Sequence, residues 1–82
     1  MSRYNRIIYT QHALERMSER RISQRQVERT LEQPDKTYPS DGKLVAERVT
    51  VHGNTLKVVY SETANGLTIT SAIVITVIRI SP

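Results

Sequence analysis

His12, Arg16 and Arg20 are the residues of this 82-residue chain whose types and spacing could do chemistry. They fall at i, i+4 and i+8 of a stretch with helical periodicity, which turns His12 and Arg16 to one side with Arg20 at its edge. A neutral imidazole can take a proton near pH 7, and guanidinium groups bind phosphate and steady charge developing on it. Together they could serve as a general base, His12, beside cations able to hold a phosphate. His12 lies near a helix start, where an added positive charge is disfavoured. The plain alternative is a histidine that packs or hydrogen-bonds at a helix–sheet seam.

Arg48, Tyr60, Thr76 and Arg79 are further candidates, each with an ordinary explanation. Arg48 fits a solvated sheet face, and Tyr60 fits a core with its hydroxyl at the rim. Thr76 interrupts an apolar run, although threonine is also a common strand residue. Arg79 can reach a site from the end of a strand or simply flank the C terminus. His52 precedes an expected hairpin turn and is expected to be exposed. The sequence has no P-loop, no G-x-G-x-x-G and no H-E-x-x-H, and His12 and His52 lack partners for a metal site. No metal and no cofactor is expected.

The elements that must position these residues begin with Thr10–Pro34. Thr10 and Ser23 are preferred N-caps, and Ser23 with Gln26 forms a capping box flanked by the staple residues Ile22 and Val27. Tyr9 and Leu14 occupy the staple positions of the first start. Pro34 stops the second helix, because proline disfavours helical geometry in the residue before it. The pattern predicts helices near residues 11–20 and 24–32. Ala13, Leu14 and Met17 share the apolar side of the first, and Val27 and Leu31 that of the second. Both are too short to be stable alone, so each must cover a surface.

From Lys43 the period changes from 3.6 to 2. Lys43–His52 alternates with Val45, Val49 and Val51 on one face, and Gly53-Asn54 is a two-residue hairpin signal. Thr55–Glu62 carries Leu56, Val58 and Tyr60 on one face. Asn65-Gly66 is a second turn signal. Leu67–Ile80 follows, apolar on both faces from Ala72 to Ile78 apart from Thr76, as in a covered central strand. Met1–Arg6 reads as a loose polar arm or the lead-in to a short strand, Ile7–Tyr9 as a brief edge strand, and residues 34–42 as a turn-rich connection. The predicted fold is α+β: two short N-terminal helices packed on a three- to four-stranded antiparallel meander.

Eighty-two residues are expected to make a single domain, 1–82, with a small core. There is no cysteine, which excludes disulfides and thiolate zinc sites. Without a basic-then-apolar leader or a long apolar run, the sequence reads as soluble and cytoplasmic, with no membrane partner. The formal charge is +4, and residues 1–33 hold seven arginines against four glutamates. Arginine is suited to bidentate phosphate contacts, so Arg16, Arg20 and Arg48 are candidate nucleic-acid contacts.

The run HALERMSERRIS, followed by Val27, Leu31 and Pro34, resembles the domain-of-unknown-function family 4258. That family's pattern is H-A-x-x-R-M-x-x-R-x-I-S, a helix ending at proline, then strands similar to LKVVY and IVITVIR. The resemblance covers nearly all of residues 10–80. It places the family's histidine on His12, its arginines on Arg16 and Arg20, and similar strand residues at Tyr60, Thr76 and Arg79. Arg21 departs from it, because members often carry glycine at the corner between helices. The family has been grouped with barnase- and RelE-like ribonuclease-toxin folds. The grouping implies a catalytic set of His12, Arg16, Tyr60 and Arg79, RNA as substrate, and an acidic antitoxin-like partner. Two further readings stand beside it: a non-catalytic nucleic-acid or protein binding module, and a monomer or weak dimer that pairs through a sheet edge.

Overall fold

A computed structural model describes residues 4–65 and 68–81. The two helices fall where the sequence pattern places them, α1 at Gln11–Arg20 and α2 at Gln24–Glu32. Thr10 caps α1 and also anchors it. Its hydroxyl oxygen accepts from the Ala13 amide at 3.1 Å and donates to the Ile75 carbonyl at 3.1 Å. At α2 the capping box is complete: the Gln26 amide donates to Ser23 Oγ at 3.2 Å, and the Ser23 amide to Gln26 Oε1 at 2.8 Å.

The corner between the helices forms without glycine. Arg21 takes the left-handed conformation, φ 54° and ψ 45°. The Ile22 amide bonds the Met17 carbonyl at 2.9 Å and the Arg21 amide the Ser18 carbonyl at 3.3 Å, a Schellman closure. A β-carbon in that conformation costs roughly 1–2 kcal/mol. Burial of Met17 and Ile22 on either side of the corner offsets it.

The sheet corrects the predicted antiparallel meander of three or four strands. Among the described residues five strands, β1 (Arg6–Tyr9), β2 (Lys36–Ser40), β3 (Lys43–Val49), β4 (Thr55–Asn65) and β5 (Thr68–Ile80), form one mixed sheet in the order β1-β5-β4-β3-β2. β1 runs parallel to β5, pairing Ile7 with Ala72 and Tyr9 with Val74, while the other neighbours are antiparallel. The expected turn-rich connection at 34–42 contains a whole strand. Pro39, which cannot donate to a ladder, is tolerated there because β2 lies at the sheet edge. Asp41 and Gly42 close the hairpin at φ 51° and 77°, the paired positive values of a tight type I′ connection.

The next turn is looser than the Gly53-Asn54 signal implied. β3 ends at Val49, and residues 50–54 form the loop, closed by the Thr50 amide on the Asn54 carbonyl at 2.8 Å. Val51 is 96% exposed within it. The Asn65-Gly66 turn lies partly outside the described residues.

The helices cover one face of the sheet. Ala13, Met17, Ile22, Val27 and Leu31 meet Ala46, Leu56, Val58, Tyr60, Ala72, Val74 and Val77 in one buried cluster. Leu14, expected on the apolar side of α1, is instead 41% exposed. A register shift opposite Val59 and Tyr60 inserts Ile75, so that Val74 and Val77 both face the helices. The β5 run was expected to be covered on both faces. β5 is an interior strand, but the face carrying Ile78 and Ile80 lies open. The Val45 and Val49 side of β3 belongs to that same open face, because Ala46 is the residue buried under the helices. No helix among the described residues is long and apolar enough to cross a membrane.

Candidate nucleic-acid interface

α1 carries three of the sequence-predicted residues on its outer side. His12 is exposed in the first turn. Arg16, one turn on, donates from Nη1 to Glu19 Oε2 at 2.6 Å, with both side chains solvent-facing. Arg20, in the last turn, is half-buried, and its Nη1 is buried with no hydrogen-bond partner among the described residues.

Arg79 arrives from the sheet. It lies on the helix side of β5, opposite Leu56, and its Nη2 donates to the Arg21 carbonyl at 3.1 Å. Arg20, Arg21 and Arg79 therefore gather at the C-terminal end of α1, where the unpaired carbonyls of a helix concentrate partial negative charge. That charge explains how three cations can share a corner. Arg25, exposed in the first turn of α2, extends the basic surface past Ser23.

The catalytic set read from the resemblance separates in space. His12 and Arg20 are eight residues apart on one helix, about 12 Å along its axis. His12 and Arg16 share one surface, while Arg79 joins Arg20 and Arg21 at the far end. Tyr60 is in the core at 2% exposure, packed edge-to-face on Tyr4 with ring centroids 6.2 Å apart. Thr76 pairs with Val59 on the open face, away from the helices. His52 is exposed in the 50–54 loop.

Arg48 belongs to another part of the molecule. Its Nη1 donates to the Gln33 carbonyl at 3.0 Å and to Gln33 Oε1 at 3.4 Å, tying β3 to the end of α2. Beside it a cavity of about 160 Å³ is lined by Gln26, Arg29, Thr30, Thr50 and Leu56.

Three tyrosines have unusual surroundings. The Tyr4 hydroxyl donates to Glu62 Oε2 at 2.6 Å, and burial, followed by that carboxylate, raises its pKa well above the ordinary tyrosine value. Burial, with Glu28 nearby, pushes Tyr9 up to about 12, and its hydroxyl is buried without a partner among the described residues. Tyr38 donates to Glu47 on the open face, and that hydrogen bond raises its pKa. Among the described residues no three histidine, cysteine or acidic side chains are grouped to hold a metal ion.

Sequence reasoning singled out Arg16, Arg20 and Arg79 but passed over Arg21 as anything beyond a departure from the glycine pattern. The signal was local: an Arg-Arg pair at a helix end, where cations collect.

The fold and this surface define a class: an α+β domain in which two capped helices cover one face of a five-stranded mixed sheet and present an arginine-bearing corner. Over residues 9–79 the chain matches the family described as Domain of unknown function (DUF4258), and it belongs to that family. No curated protein and no solved structure matches it.

Proposed function

We propose that this protein binds RNA through the arginines at the corner of its helices, Arg20, Arg21 and Arg79, with Arg16 one turn away. The observation that carries the reading is the meeting of Arg79 with the end of α1, where its Nη2 donates to the carbonyl of the exposed Arg21, next in sequence to Arg20. Glu19 is held by Arg16 and does not neutralise the corner. A phosphate supplies an anionic acceptor for these guanidinium groups, a stronger partner than a backbone carbonyl.

The test is fluorescence anisotropy with a labelled single-stranded RNA of about 20 nucleotides. Three phosphate contacts on a single strand give a salt slope of about −2, a loss of roughly twentyfold in affinity between 50 and 200 mM salt. The Arg20→Ala, Arg79→Ala double variant, confirmed folded by its melting curve, should lose affinity and flatten the slope by about 1.4. No binding at 50 mM salt, or a slope the double variant leaves unchanged, would reject the proposal.

RNA cleavage is a second reading, supported by the exposed His12 standing one turn from Arg16. It requires RNA to be cut in the presence of a chelator. His12→Ala should then abolish cutting while leaving anisotropy binding intact, since His12 lies at the opposite end of α1 from the binding corner. Intact RNA after prolonged incubation with the wild-type protein removes the reading.

A further inference from the structure

The face of the sheet away from the helices is uncovered among the described residues, and it is apolar. Register brings Ile8 beside Ile73, Thr76 beside Val59, Val59 beside Val45, and Val45 beside Tyr38. These residues form two rungs offset along the strands, because on β4 Ile73 faces Ser61 and Thr76 faces Val59; together the rungs reach all five strands, flanked on one side by Ile78, Ile80 and Val49. Ile8, Ile78, Ile80 and Val49 are each between 37% and 55% exposed. Four of the six large hydrophobic side chains exposed among the described residues thus share one face, whereas scattered exposure is what an unused surface shows.

The charge on this face has a sign. Among the described residues strand alternation places Arg6, Lys36, Lys43 and Lys57 there against one carboxylate, Glu47. Glu47 is already engaged, accepting from the Tyr38 hydroxyl and lying 3.8 Å from Lys36 Nζ and 3.7 Å from Lys57 Nζ. The face is therefore an apolar surface in a field of net +3, with Arg6 and Lys43 exposed near its ends.

We infer that this face docks an acidic amphipathic segment of another protein. Charge selects that occupant over a second copy, because two faces of net +3 would repel when brought together. Size agrees with a short segment. Five strands spaced about 4.8 Å apart carry the face across roughly 19 Å, the length of a helix of about 13 residues. Apolar side chains of the segment cover the exposed Ile8, Ile78, Ile80 and Val49, and its carboxylates meet Arg6 and Lys43. The surface lies on the opposite side of the sheet from the arginine corner and does not depend on RNA binding.

The experiment selects random 14-residue peptides displayed on phage against the whole protein, with the Ile78→Lys variant as counter-selection. The enriched peptides should be net negative, with apolar residues at helical spacing. Synthetic copies should lose about tenfold or more in affinity on Ile78→Lys, and similarly on the charge-reversed pair Arg6→Glu, Lys43→Glu. Leu14→Lys, an exposed apolar residue on α1, should leave their affinity unchanged. All these positions are exposed, and matching circular dichroism spectra check that each variant is folded. Neutral or basic enriched peptides overturn the inference, as do peptides that bind Ile78→Lys equally well. Sedimentation showing a dimer abolished by Ile78→Lys assigns the face to a second copy and overturns it. Wild-type protein that pellets with phosphatidylglycerol vesicles through Ile78 while no acidic peptide is selected assigns it to a lipid surface and equally overturns it.

Discussion

Removing one oxygen from Tyr9 should stabilise this protein, whereas removing the same oxygen from Tyr4 should destabilise it. The Tyr9 hydroxyl is buried without a partner among the described residues, while that of Tyr4 donates to Glu62 at 2.6 Å. A buried, unsatisfied polar group costs about 1–3 kcal/mol, and a hydrogen bond to a charged acceptor contributes about 1.5–3 kcal/mol. Tyr9→Phe should therefore gain about 1 kcal/mol and Tyr4→Phe lose about 2 kcal/mol. In a domain of this size those changes move Tm by about +4 to +8 °C and −8 to −16 °C respectively.

The pH dependence gives an independent reading of the same group. In the unfolded chain a tyrosine ionises near 10, and in the fold Tyr9 holds its proton to about 12. The folded state binds the proton more tightly, so its contribution is complete below pH 10 and falls away as pH rises towards 12. The displacement corresponds to at most about 2.7 kcal/mol. Tyr9 is only half-buried, so solvent screens part of it, leaving about 1 kcal/mol. Thermal melts of wild type and Tyr9→Phe at pH 8 and pH 10.5 measure both effects. The gap between them should widen at the higher pH, in favour of the phenylalanine variant. A Tyr9→Phe protein less stable than wild type at pH 8 would refute the reasoning, since the Tyr9 hydroxyl would then have an acceptor.

Ser23→Ala should cost about 1 kcal/mol by leaving the Gln26 amide without its acceptor, and an unchanged melting midpoint would show that the capping box contributes nothing. Arg21→Gly separates stability from binding at one position. It should raise Tm slightly by relieving the left-handed backbone at φ 54°, yet weaken RNA binding by removing a corner guanidinium. If affinity for RNA stays constant while Tm rises, Arg21 lies outside the interface.

Local chemistry made the helical half of this protein legible in its sequence. Thr10, Ser23, Gln26 and Pro34 act on backbone groups within a few residues of themselves, so α1 and α2 follow from neighbours alone. The Leu56, Val58 and Tyr60 alternation likewise marked a buried strand face. What the sequence could not determine was anything set by partners distant in the chain. Ile7–Tyr9 reads as a strand, but its parallel pairing with residues more than sixty positions away is decided by how α1 carries the chain back across β5. Residues 36–40 look like a loop because Pro39 breaks a central ladder, and only their place at the sheet edge makes them a strand. The candidate site divides in the same way. Helical spacing brought His12 and Arg16 to one side, as period 3.6 dictates. The meeting of Arg79 with Arg21, the withdrawal of Tyr60 into the core and the open isoleucine face depend on which side of the sheet the helices cover, and no local pattern of residues encodes that choice.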